Sequence, residues 1–232
     1  MSFDDLNEIK KKLELCERLG IKNLILEPKD SVKKISFEFK GFIKEITQIN
    51  IYYRNTLKPD NLRDFKKIIK TFNTHTEILA VETSNKNIQI HAARDSRVDL
   101  ISFSQPEIIK TLTNGVISLA KQNNSFIEFS LSPIMVNNRS TQSKNFRNLY
   151  RFIHKTRNLK ANYILSGDFN ELYDIRHPRA LISICYTLLD IPLAELKSVF
   201  KKNPALLLKR IEKRQDSSII ENGVRIIRNG GL

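Results

Sequence analysis

The chain has 232 residues, with 39 Lys plus Arg against 25 Asp plus Glu and a net charge of +14. That excess points to a polyanionic partner, because phosphate contacts release condensed counterions. No apolar run approaches the roughly 20 residues that cross a bilayer, and the N-terminus carries two acids and no secretory pattern, so no membrane role and a cytoplasmic location are expected.

In chain order, helical and strand patterns alternate. Residues 4–19 place Leu6, Ile9, Leu13 and Cys16 on one helical stripe, and Gly20 ends that helix. Residues 21–26 read as a buried strand. Two β-like runs are predicted at 35–39 and 46–53, with Gly41 between them. Pro59 is expected to open a helix to about Phe72, with Leu62, Phe65, Ile68, Ile69 and Phe72 inward. A strand follows at 77–82, a short helix at 86–93 and a strand at 98–102. Helical turns at 105–122 are interrupted near Gly115. Then come a strand at 125–131, a long helix at 139–160 and a strand at 163–166. The pattern closes with helices at about 178–189, 193–201 and 204–214.

Strands spaced by helices imply a parallel sheet with crossover helices. This length and strand number suit a TIM-like (β/α) barrel in one domain over residues 1–213. A polar, fraying tail is expected over 214–232. Cys16 and Cys185 lie in apolar helical patterns and read as small buried hydrophobes in a reducing compartment.

A barrel enzyme keeps its chemistry at the C-terminal ends of its strands. Here those ends offer Glu27, Tyr53, Glu82, Ser102, Ser132 and Ser166. The four histidines, His75, His91, His154 and His177, share no ligand spacing, with no His-x-His pair and no His-Glu-x-x-His. Ser130 and Ser132 lack the Gly-x-Ser-x-Gly setting, and the scattered glycines form no phosphate loop. Glu82 ends a strand and could point into a barrel mouth, but reads first as an ion-paired or a rim carboxylate. No catalytic and no metal-ligating residue is assigned. The enzymatic alternative is a metal-dependent phosphoesterase or nuclease using Glu27, Glu82 and His91 or His177.

The basic residues are better organised. No acid occurs between Phe129 and Gly167, while Lys144, Arg147, Arg151 and Lys155 fall on one narrow helical stripe. Phe146, Leu149, Tyr150 and Ile153 are expected on the opposite, packed side. A solvated face normally mixes signs; this one repels itself, a cost that a phosphate backbone relieves. Around Pro178, Arg176 and Arg179 flank free N–H groups at a helix start, an anion site unless Asp174 or Glu171 holds Arg176 in the loop. Arg94 and Arg97 flank a strand, with Asp95 and Asp99 able to neutralise both.

Several segments resemble one family, the component 3 proteins of archaeal ribonuclease P and their eukaryotic counterparts. They are Arg97-Val-Asp-Leu-Ile-Ser-Phe103, Ile127-Glu-Phe-Ser-Leu-Ser-Pro133, Ser166-Gly167 leading to Asp174-Ile-Arg-His-Pro-Arg179, and Asn203-Pro204. Their order and spacing fit over about residues 20–212. The resemblance implies a TIM-like barrel and an RNA-binding subunit that supports the catalytic RNA in removing the 5′ leader of precursor tRNA. It implies ribonuclease P RNA and other protein subunits as partners, especially the component 2 family, with precursor tRNA met through the complex. Mg²⁺ belongs to the RNA, with no cofactor in the chain. Arg97, Arg176 and Arg179 match the family motifs as RNA-binding positions; the Lys144–Lys155 stripe rests on helical geometry alone. The Asp-Leu-His start of many relatives is missing, the chain beginning Ser2-Phe-Asp-Asp-Leu6. An absent or irregular first strand is therefore expected. A composition rich in Lys, Ile and Asn leans toward an archaeal source.

Overall fold

Apolar strand runs with helices between them build a sheet that is buried on both faces, the pattern parallel sheets require. The computed structural model describes residues 2–3, 6–28, 35–72, 77–169, 171–215, 219–221 and 224–225. β1 (Ser2–Phe3), β2 (Asn23–Pro28), β3 (Asn50–Leu57), β4 (Ile78–Glu82), β5 (Leu100–Phe103), β6 (Phe126–Ser130) and β7 (Tyr163–Ser166) pair in parallel in sequence order. Six strands are full and the first has two residues, so the irregular start expected from the sequence is present. The helices are α1 (Leu6–Arg18), α2 (Phe37–Ile46), α3 (Leu62–Ile69), α4 (Lys86–Arg94), α5 (Pro106–Ile109) and α6 (Asn114–Gln122). They continue with α7 (Arg139–Asn158), α8 (Pro178–Leu188), α9 (Leu193–Lys197) and α10 (Asn203–Gln215). β8 (Ile219–Glu221) and β9 (Val224–Arg225) form a separate antiparallel pair.

Alternation along each strand separates two cores. Outward residues such as Leu79, Val81, Ile101, Ile127 and Phe129 pack under the helices. Inward residues Ile25, Tyr52, Ile78, Ala80, Leu100, Phe126 and Ile164 gather inside the curve of the sheet. After α8 no further parallel strand closes the sheet among the described residues. Instead α9, a π turn (Ser198–Lys202) and α10 follow, and Leu207, Leu208 and Ile211 of α10 enter the interior. The architecture is an incomplete TIM-like barrel whose missing wall is partly replaced by a helix.

The same helix is tied to the N-terminal ends of the strands. Fully buried Asp99 accepts from Arg214 Nη2 at 2.6 Å and from the Leu79 N–H at 3.0 Å, and it is ion-paired with Arg210, whose Nε lies 3.0 Å from Oδ1. Arg210 also donates to the carbonyls of Ser96 and Asn124. Helix α10 thus runs past the boundary expected at residue 213, and Arg214 belongs to the folded body.

Local structure departs from the sequence reading in four places. The run at 35–39 is not a strand: Ser36 Oγ accepts from the Phe39 N–H at 3.2 Å and caps α2, whose Phe39, Ile43 and Ile46 pack on α1 and β2. Phe37, which gave that run its alternation, is exposed. The strand expected at 46–53 begins at Asn50, because Thr47 Oγ1 and the Gln48 N–H donate to Glu17 and hold the approach. α3 starts at Leu62, capped by Asn61, not at Pro59. The interruption expected near Gly115 lies before it, where Thr113 caps α6. Gly20 ends α1 with φ +70°, as expected.

Candidate functional site

The C-terminal ends of the strands form a polar mouth above the apolar interior. Glu27, Arg54, Lys58, Glu82, Ser102, Ser104, Glu128, Ser132, Ser166 and Asp168 line a cavity of about 270 Å³. Register puts Glu82 beside Ser102 and Ser102 beside Glu128 on the inner face. Five of the six strand-end residues named from sequence therefore converge. Tyr53 does not: it faces outward, with Lys40 Nζ 5.1 Å from its ring, and burial raises its hydroxyl to about 12. Its neighbour Arg54 takes the inward place.

Arg54 organises the mouth. Its Nη1 lies 2.7 Å from Glu128 Oε2, and its Nε lies 3.2 Å from Glu27 Oε2 and 2.8 Å from Thr56 Oγ1. Burial would lower the guanidinium pKa, but Glu128 and Glu27 outweigh it and raise it. Burial would raise the Glu128 carboxyl; Arg54's charge and hydrogen bond, with help from Ser102 and Ser166, hold it below the carboxylate range. Asp168, at φ +49°, is raised by burial first and by Glu128's charge second. Glu82 is buried, faces the mouth, pairs with Lys58 at 3.1 Å and accepts from Ser104 Oγ, so of the roles read from sequence it takes the ion-paired one.

A metal-dependent hydrolase does not fit these donors. A guanidinium already bridges Glu27 and Glu128. Among the described residues no group of His, Cys, Asp and Glu comes together as metal ligands. His91 is half-buried on α4, His154 Nε2 lies 3.2 Å from the Leu189 carbonyl, and His177 caps α8. His75 lies outside the described residues. Arg54 and Glu128 escaped the sequence reading because each sits inside a strand, where parity alone decides which way it faces; Asp168 lies two residues past β7 at a left-handed φ, outside strand alternation.

The cationic stripe lies on α7. Asn145, Leu149, Phe152, Ile153 and Thr156 are buried, and Lys144, Arg147 and Arg151 are exposed. Lys155 borders the packed side: its Nζ donates to the Leu112 carbonyl at 3.1 Å and sits 5.6 Å from the Phe152 ring. Burial first, and Arg151's charge second, lower its pKa. Tyr150 is not packed but 41% exposed, stacked on His154 at 4.1 Å. At about 100° per residue it lies on the outer side, next to Arg147 and not Leu149.

The other motif arginines are placed differently. Arg97 forms a fork on Asp95, with Nε–Oδ1 2.8 Å and Nη2–Oδ2 2.7 Å, and donates to the Ile69 carbonyl at 3.3 Å. Asp95's hydrogen bond, set against partial burial, raises its pKa. Arg97 therefore ties α3 to the loop before β5. Arg176 is exposed but bent back on its own loop, donating to the Tyr173 and Ile175 carbonyls and not to Asp174 or Glu171. Arg179 is exposed in the first turn of α8, where its N–H is taken by His177 Nδ1 at 3.0 Å. The seven positions do not form one site.

An open parallel (β/α) sheet with a charge-paired mouth and a cationic outer helix defines a TIM-like barrel protein. A chain in a cryo-EM structure of archaeal ribonuclease P with mature tRNA shares the fold, with a TM-score of 0.84 at 15% identity over 100% of this chain and 98% of that one. No curated protein matches. The family described as RNase P subunit p30 matches residues 2–216, and the chain belongs to it. It is thus a protein subunit of ribonuclease P, the ribonucleoprotein that matures tRNA 5′ ends.

Proposed function

We propose that this subunit binds ribonuclease P RNA through the outer face of α7 and leaves the cleavage chemistry to that RNA and its Mg²⁺. The carrying observation is an exposed cationic face within an acid-free span, in a chain that belongs to a ribonuclease P family over nearly its whole length. Lys144, Arg147 and Arg151 are the contacts of first rank. Lys155 contributes its charge at the edge, already holding a carbonyl. Arg176 and Arg179 form a second, smaller anion contact at the start of α8, while Arg97 acts through the loop it holds. Component 2 is the protein partner, precursor tRNA is met through the assembled enzyme, and the complex works in the cytoplasm. The supporting physics is electrostatic: the stripe carries like charges with no acid in its own helix, Glu107 of α5 reaching only Lys144 at one end, and phosphates relieve that repulsion.

The charge reversals Arg147→Glu and Arg151→Glu test this. Binding of a folded ribonuclease P RNA transcript is followed by fluorescence anisotropy across a salt series. Each lost phosphate contact lowers the log–log salt slope by about one unit, so a fall of about two is expected. An unchanged slope removes α7 from the interface.

A further inference from the structure

We infer that the exposed face of α3 is a second phosphate-backbone contact, separate from α7; it rests on the RNA-binding reading above. Arg63, Lys66, Lys67 and Lys70 occupy positions i, i+3, i+4 and i+7 of α3 and its last turn. At about 100° per residue they fall within a stripe roughly 100° wide. All four are exposed, and with Leu62 they line a shallow groove of about 490 Å³. The opposite side of the helix is committed to the core through Phe65 and Ile69.

Among the described residues no hydrogen bond or ion pair engages these charges. Asp64, the acid of this helix, is engaged with its cap: Asn61 Oδ1 accepts from the Asp64 N–H at 2.9 Å, and Asn61 Nδ2 donates back to the Asp64 carboxylate. Among the described residues none of the four cations has an ion-pair partner. Their mutual repulsion is left standing in the free protein.

The chemistry of the stripe selects the occupant. Protein–protein interfaces are depleted in Lys and centred on aromatic or other apolar anchors. Here three of four cations are Lys, and no aromatic side chain lies in the groove. The stripe runs about 10 Å along the helix axis, which suits a strand following the helix more than a single small anion. Three of its four donors are ammonium groups on flexible stems, point charges that suit phosphate oxygens, so the contact is mainly to the backbone and carries little sequence information.

The two cationic faces are distinct surfaces. α3 follows β3 and α7 follows β6, three strands further along the sheet, or about 14 Å at the inter-strand spacing before the outward radius of the helices is added. An RNA that engages both must curve around this side of the barrel or present two segments. Either arrangement gains from the effective concentration of the second contact.

The same anisotropy titration decides the matter with Lys66→Glu, Lys67→Glu and Lys70→Glu combined, alone and together with the α7 reversals. The expected result is a salt slope lower by about three units for the α3 variant, by about two for α7, and by the sum for the combination. A Lys→Gln triple should move in the same direction by less, and thermal midpoints equal to the parent show that the fold is intact. A wild-type slope for the α3 variant beside a lowered slope for α7 overturns this inference and leaves the function standing. Wild-type slopes for every variant overturn both. Retained RNA binding with lost capture of polyglutamate assigns the face to an acidic protein and also overturns it.

Discussion

Arg54 is largely buried and reaches two carboxylates at once, the buried Glu128 and the partly exposed Glu27. Removing one partner of a buried pair leaves the other charge uncompensated, which costs about 3–5 kcal/mol. Arg54→Met should lose about that much stability in urea unfolding, whereas exposed Arg179→Met should lose almost none. Asp168 carries the opposite sign. Its folded pKa is raised, so its ionisation disfavours the fold; its contribution is best below the unfolded carboxyl value and is lost as pH rises through the folded one. Asp168→Asn should therefore raise the thermal midpoint at pH 7, with the gain shrinking as pH falls toward about 4. Asn tolerates the left-handed backbone at this position. An equal gain at both pH values would falsify the charge explanation. Sequence motifs marked Arg97 as an RNA contact, but a carboxylate two residues away was also in view, and the fork geometry engages it.

Among the elements, α10 does most to complete the barrel. It fills the interior with Leu207 and Ile211 and bolts itself to Asp99 with two arginines. Leu207→Ala should cost about 2–5 kcal/mol, the range for a leucine truncated in a packed core. A loss below about 1 kcal/mol in the same urea measurement would show that α10 is only an accessory. The periodicity of α7, α3 and α1 was legible because an amphipathic helix writes its buried face into sequence at a spacing of three and four. α2 was misread since Ile35, Phe37 and Phe39 alternate like a strand, while the deciding feature is the Ser36 cap that leaves Phe37 in solvent. Tyr150 was misplaced because a wheel drawn around the cations makes the packed face opposite them, whereas in the structure it lies to one side.

At the scale of the whole molecule, a net charge of +14 says that a polyanion is near but not where. Charge, strand and helix alternation, the buried cysteines and the family motifs are properties of local composition and spacing. The chain alone was therefore enough to determine a parallel α/β barrel class and a ribonuclease P family. Which strand-end groups meet was not local. The Arg54–Glu128 pair joins residues 74 positions apart, and the Asp99–Arg214 pair 115. Inward or outward direction flips with each residue along a strand, so only the assembled sheet could turn Arg54 in and Tyr53 out. For the same reason the tertiary structure alone decided that a helix would fill the gap in the barrel wall: a cavity exists only once the surrounding strands are in place, and burying Leu207 and Ile211 there is what holds α10 across it.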